Sequence, residues 1–202
     1  MVKEIDVVGV NKSFQTMEVE NTRAIAEDYI KYRLQSSGFV WENGRQGNVT
    51  PNSVEAAMRS LGDEFEERFR SHFDDMIGQL HVTEDNAHDT FSSIVSETFS
   101  DGVNWGRIVA LFGFAGRFAV QCFENNLPHV VDNIVEWVTA YVDNNLSTWM
   151  SSHNNWEGFL EFHAGGPESR KNNPWPSFGT ICGYAAAGIG VLTLGAFLTQ
   201  KS

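Results

Sequence analysis

The chain has 202 residues, 42% of them hydrophobic, enough for one sizeable core, so length argues for a single domain with appendages. Its formal net charge of -12 repels polyphosphates and excludes nucleic acid as a partner, whereas a basic or cationic amphipathic partner is well matched. The N-terminal residues lack the apolar core of a secretory signal, and Cys122 and Cys182 fall in apolar runs, which marks them as reduced packing residues rather than a disulfide. The glycosylation-type triplets at Asn11, Asn48 and Asn145 then read as chance matches on the cytosolic side.

After a polar lead, Asn21 or Thr22 can cap a helix with Ile25, Tyr29 and Tyr32 on one face, ended by Gly38. Phe39 and Trp41 follow as anchors, and residues 42–52 are too polar and glycine-rich for an element. Thr50-Pro51 is a plausible start for a second helix, since proline in a first turn sacrifices no needed amide. There Val54, Met58, Leu61 and Phe65 make one helical stripe, with Gly62 and Asp63 between the last two, and the segment continues through Arg68, Phe69 and Phe73 toward Met76 and Leu80. A third helix is expected over residues 84–99, from the spacing of Phe91, Ile94, Val95 and Phe99.

Residues 102–124 are apolar on nearly every side, with Arg107 and the more distal Arg117 as the basic residues. Such a helix belongs at the centre of a bundle, because no face is left to show to water. Asn104 is its expected N-cap. Arg107 falls on the stripe of Ala110, Leu111, Phe114 and Phe118, at the positive end of the helix dipole. A guanidinium so placed needs a carboxylate partner, and Glu97 and Asp101 are the nearest in sequence. Beyond it, Pro128 opens a stripe of Val131, Ile134, Val135, Val138 and Val142, which would form an antiparallel hairpin with the central helix.

Leu146, Trp149 and Met150 suggest a brief turn, and Trp156, Phe159, Leu160 and Phe162 a last short helix. Gly165-Gly166-Pro167 breaks the pattern, and a polar linker leads to residues 178–199, a stretch without charge. At about 1.5 Å per residue, ~22 residues reach ~33 Å, enough for a hydrocarbon core of ~30 Å. This reads as a tail anchor; a buried hydrophobic helix is the competing reading, given the alanine and glycine content. Gly179 and Gly183 form a weak small-xxx-small pair. The resulting division is a helical domain over 1–164, a linker over 165–177 and the anchor over 178–199.

Four segments in order carry a resemblance: TRAIAEDYIKYRLQSSGFVW (22–41), VEAAMRSLGDEF (54–65), DGVNWGRIVALFGF (101–114) and WMSSHNNWEGF (149–159). Over nearly its whole length the chain resembles the Bcl-2 family of apoptosis regulators, these segments looking like its fourth, third (BH3), first and second homology motifs. The resemblance implies an all-α, Bcl-2-like helical bundle around a central hydrophobic hairpin, with a C-terminal tail-anchor helix. It also implies a surface groove that receives a BH3 helix, whose aspartate pairs with Arg107. Groove positions carried over from the family are Phe65, Arg68, Phe69, Phe73, Met76, Leu80, Val95, Glu97, Asp101, Asn104, Gly106, Arg107, Val109, Ala110 and Phe114. Glycine at 106 lets a ligand helix approach closely, and Trp105 and Trp156 are assigned to core packing. The chain departs from the family pattern at Thr98, His163 and Arg117, the last placing a charge in a helix usually uncharged there.

The function so implied is an anti-apoptotic regulator that sequesters BH3 helices of Bax/Bak-like and BH3-only proteins. It would act on the cytosolic face of the mitochondrial outer membrane or the endoplasmic reticulum, held by the tail, with homo- or heterodimers an open alternative. A pro-apoptotic Bax/Bak-like, membrane-permeabilising member is the competing function. For an enzyme there is little: the six histidines show no metal-ligand spacing, no glycine-rich loop follows a strand, and no cofactor is expected.

Overall fold

The computed structural model describes residues 7–44 and 50–166. The expected tail anchor at 178–199, its glycine pair and Cys182 lie outside the described residues. Among the described residues seven α-helices follow one another: α1 (Val7–Ser36), α2 (Ser53–Gln79), α3 (Ala87–Thr98), α4 (Trp105–Glu124), α5 (Val130–Tyr141), α6 (Ser147–Ser152) and α7 (Asn155–Ala164).

α1 begins well before the cap expected at Asn21 or Thr22. No proline or glycine interrupts it after Gly9, so nothing in the backbone stops the helix from extending toward the N-terminus. Its end is as read from the sequence. Gly38 adopts φ 84°, and the amides of Gly38 and Phe39 donate to the carbonyls of Gln35 and Leu34 at 3.0 and 2.9 Å, a Schellman closure. The following residues are pinned to α5, where Asp132 accepts from Trp41 Nε1 at 3.1 Å and Asn43 Nδ2 at 2.7 Å.

α2 does not start on Thr50-Pro51. Asn52 is its N-cap, with Oδ1 accepting from the amides of Val54 and Glu55, while the buried Glu55 carboxylate accepts from the Asn52 amide. This reciprocal box satisfies donors that proline could only have omitted. The helix then runs to Gln79 with one break in helical geometry, at Phe69 (φ -114°, ψ 17°).

α4 is the centre of the bundle. It packs against α1, α2, α3 and α5, and every residue from Ile108 to Gly116 is buried. Among the described residues it is the one helix long and apolar enough to cross a bilayer, and most of it is buried within the protein. α4 and α5 form the expected hairpin, although α5 starts at Val130 rather than at Pro128. The brief turn expected around Leu146 is instead a π-helical turn, Val142–Leu146, that carries α5 straight into α6. Trp105 packs on Trp149, Phe159 and Trp156 with ring centroids at 5.0, 5.6 and 6.4 Å, so both motif tryptophans sit in core. Cys122 is buried and unpaired, and burial pushes its thiol up to about 12, as suits a packing residue.

Candidate functional site

Arg107 is fixed by the start of α4. Asn104 caps the helix by accepting from the Arg107 amide at 2.9 Å, which sets the side chain at the helix mouth. Its side chain is 13% exposed. Nη1 donates to the Gly102 carbonyl at 2.6 Å and Nη2 pairs with Asp101 Oδ2 at 3.3 Å, while Nε is buried without a partner. Asp101 itself is 79% exposed, so water screens the pair and limits it to about 1 kcal/mol or less. Glu97, the other acid near in sequence, makes no ion pair with Arg107 among the described residues. The guanidinium is therefore largely dehydrated but weakly neutralised.

The fifteen positions fall on three helices and one turn. Phe65, Arg68, Phe69, Phe73 and Met76 are on α2 and Leu80 caps it; Val95 and Glu97 are on α3; Asp101 and Asn104 lie in the turn; Gly106, Arg107, Val109, Ala110 and Phe114 are on α4. The structure brings Phe65 against Phe69 and Phe73, at 4.9 and 5.5 Å between ring centroids. It also seats Phe65 on Gly113, where an added Cβ would lie 3.0 Å from the ring. Arg68 is exposed, its Cζ 5.9 Å from the Phe69 ring centroid. Val95 stands apart. It lines a cavity of about 230 Å³ between α3 and α5, with Phe91, Trp137 and Tyr141.

A polar seam on another side of α2 has no counterpart in the sequence reading. Arg59 forms two hydrogen bonds to Asp28 at 2.8 and 2.6 Å, and Arg33 pairs with Asp63 at 2.9 Å and with Glu66. Tyr32 Oη also donates to Asp63, at 2.6 Å. Arg117 pairs with Asp74 at 2.6 Å, which shows how a charge is tolerated on the central helix. Burial raises the Glu66 carboxyl above its ordinary value, against the opposing pull of Arg33 and Arg117. The charges Asp63, Glu66, Arg70 and Asp74, three and four apart, were the available signal, but the partners of the acids lie far away in sequence, Arg33 on α1 for Asp63 and Glu66 and Arg117 on α4 for Asp74.

These features define an all-helical bundle wrapped on one buried helix, with a largely dehydrated guanidinium at the mouth of that helix and a phenylalanine cluster, Phe65 and Phe73 buried in it, where α2 packs on α4. A family model described as apoptosis regulator proteins of the Bcl-2 family matches residues 58–156. The chain belongs to the Bcl-2 family. It is 39% identical over 151 residues to the apoptosis regulator Bcl-2 of Gallus gallus, covering 75% of this chain and 64% of that one. It is 34% identical over 184 residues to the apoptosis regulator R1 of Xenopus laevis, covering 89% of this chain and 79% of the relative. Among solved structures it resembles Trichoplax adhaerens trBcl-2L2 bound to trBak BH3, with a TM-score of 0.66 and 34% identity over 72% of this chain and 98% of that one. Proteins of this family are regulators and binding proteins, and the chain is accordingly not an enzyme.

Proposed function

We propose that the chain is an anti-apoptotic regulator that captures BH3 helices of pro-death relatives on the face formed by α2, α3 and α4. Arg107 is the clamp for the ligand's carboxylate. The observation that carries this reading is the guanidinium itself, nearly buried, with an unpartnered Nε and a single water-exposed counter-charge. A carboxylate delivered by an amphipathic helix would add a charge-assisted pair while the helix's apolar anchors exclude water around it. Phe69 is the partly exposed apolar residue of that face; Phe65, Phe73, Met76, Leu80, Val109, Ala110 and Phe114 are buried in the free protein and would supply apolar contact once a ligand helix uncovers them. Glu97 and Asp101 form an acidic edge suited to basic residues on the ligand. The relative of solved structure that is bound to a BH3 segment supports this use of the fold. Residues 178–199 would hold the protein on the cytosolic face of the mitochondrial outer membrane.

The killer function needs α2 to leave the bundle, and the pairs from Arg59 to Asp28 and from Asp63 to Arg33 weigh against that release. Calorimetric titration of the full chain with BH3 peptides tests the proposal. Binding is expected, and Arg107→Ala should weaken it by about 2–5 kcal/mol, the usual consequence of stranding one partner of a dehydrated charge pair. Equal affinity for both proteins would refute the clamp. In liposomes the protein should block dye release by a killer relative; release caused by the protein itself would overturn the anti-apoptotic reading. Removing residues 178–202 should leave a soluble protein that still binds, and continued pelleting with membranes would refute the anchor.

A further inference from the structure

The polar side of α2 opens into a cavity of about 290 Å³, several times the roughly 30 Å³ taken by one water. It is lined by Arg33 of α1, by Glu66, Arg70, Phe73 and Asp74 of α2, and by Arg117 of α4. Glu66, Arg70 and Asp74 are four residues apart and so form one stripe of the helix. Three guanidiniums from three helices thus border one space, and they are unequally engaged. Arg33 is divided between Asp63 and Glu66, and Arg117 bonds Asp74 through one nitrogen. Arg70 is exposed and has no hydrogen bond or ion pair among the described residues. Glu66 Oε1 is buried and faces no donor.

We propose that this cavity binds a phosphate monoester, with Arg70 and Arg117 donating to its oxygens and Glu66 Oε1 sharing a proton with one of them. The planar fork of arginine matches phosphate oxygens, and Arg70 has its whole fork free for them. A bare carboxylate would repel the anion. One proton held between Glu66 Oε1 and a phosphate oxygen removes that repulsion and gives the unpaired oxygen the partner it lacks. Burial already favours the protonated carboxyl. The charged and titratable groups around it are Tyr29 and Arg33 from α1, Asp63, Arg70 and Asp74 from α2, and Arg117 from α4. Phosphate monoesters take up their own second proton near ~6, so binding is coupled to proton uptake and weakens as pH rises above that value. The net charge of -12 disfavours an extended polyanion, which leaves a compact phosphate, free or carried on a lipid headgroup.

The test uses the full chain reconstituted in phosphatidylcholine vesicles, with fluorescent inositol trisphosphate as the probe. Saturable binding is expected, weaker at about pH 8 than at about pH 6, with that difference abolished in Glu66→Gln. Arg70→Gln should reduce affinity roughly tenfold or more, the worth of a lost charge-assisted bond, while Lys31→Gln, outside the cavity, should not. Because Arg70 has no partner among the described residues to lose, its substitution should leave the melting temperature unchanged. BH3 peptide affinity should also persist in Arg70→Gln, which separates this site from the proposed groove. Displacement of the probe by phosphatidylinositol bisphosphate in the same vesicles assigns the site to a lipid headgroup. Displacement by soluble phosphate esters alone assigns it to a free one. Absence of saturable binding, or equal binding by Arg70→Gln, overturns the proposal.

Discussion

Gly62 lies where α2 meets α1, and Gly62→Ala tests how tightly that seam is closed. A Cβ there would sit 2.3 Å from Tyr29 Oη, 2.5 Å from Cε2 and 2.7 Å from Cζ. The tyrosine cannot swing aside. It is fully buried and meets the Phe112 ring edge-on at 6.2 Å. Overpacking of this kind costs about 1–3 kcal/mol, and contacts well inside van der Waals range place this case near ~3. Alanine returns about 1 kcal/mol of helix propensity, leaving a net loss of about 2 kcal/mol. For a chain of this size that lowers the melting temperature by about 4–8 °C.

Gly78 is the internal control, since nothing lies within 4 Å of its added Cβ. Gly78→Ala should raise stability by up to about 0.5 kcal/mol, being in the last turn of the same helix. Tyr29→Phe removes the nearest clashing atom, a hydroxyl that is buried without a partner and therefore stabilises nothing. In that background Gly62→Ala should recover about 1 kcal/mol, measured by a double-mutant cycle of thermal or urea unfolding. If Gly62→Ala and Gly78→Ala shift stability alike, the closed seam is wrong.

Gly158→Ala should be harsher, at about 3 kcal/mol or more, because its Cβ would lie 1.9 Å from the backbone oxygen of His153, which no side-chain motion can relieve; urea unfolding measures it. Glu66 carries a pH signature. Its folded-state carboxyl is raised above the ordinary 4.5, so its contribution to stability is greatest in acid and declines as pH rises past that value. The stability of the native protein relative to Glu66→Gln should fall accordingly between acid and neutral pH, and a difference independent of pH would refute the burial effect. Cys122, with its thiol pushed up to about 12, should resist thiol reagents in the native state of a Cys182→Ser variant and react only on unfolding.

Local signals were the legible ones. Asn104 was readable as a cap and Gly38 as a stop, because each acts on its own helix end through backbone amides and carbonyls. Residues 102–124 were readable as the centre because only burial accommodates a helix with no polar face. α2 starts after Asn52 rather than on Thr50-Pro51, because the box between Asn52 and Glu55 satisfies amides that a first-turn proline merely lacks. The π-helical turn at Val142–Leu146 was illegible, since the buried Val138, Val142, Leu146 and Met150 recur every four residues, a spacing an α-helix also shows. The position of Arg107 at the mouth of α4 was readable from its cap and its apolar stripe; the way Arg33 divides itself between Asp63 and Glu66 was not, because pairing across helices depends on their mutual rotation.

The break at Phe69 divides α2 into two levers joined at a knuckle. The inner lever is bolted to α1 through Arg59, Asp63 and Glu66, while the outer one, from Arg70 to Gln79, has Arg117 as its charged tether. The outer lever is also seated in the core through Phe73, Met76 and Ile77, all buried, so the knuckle lets each half of the helix meet its own partners in a different orientation.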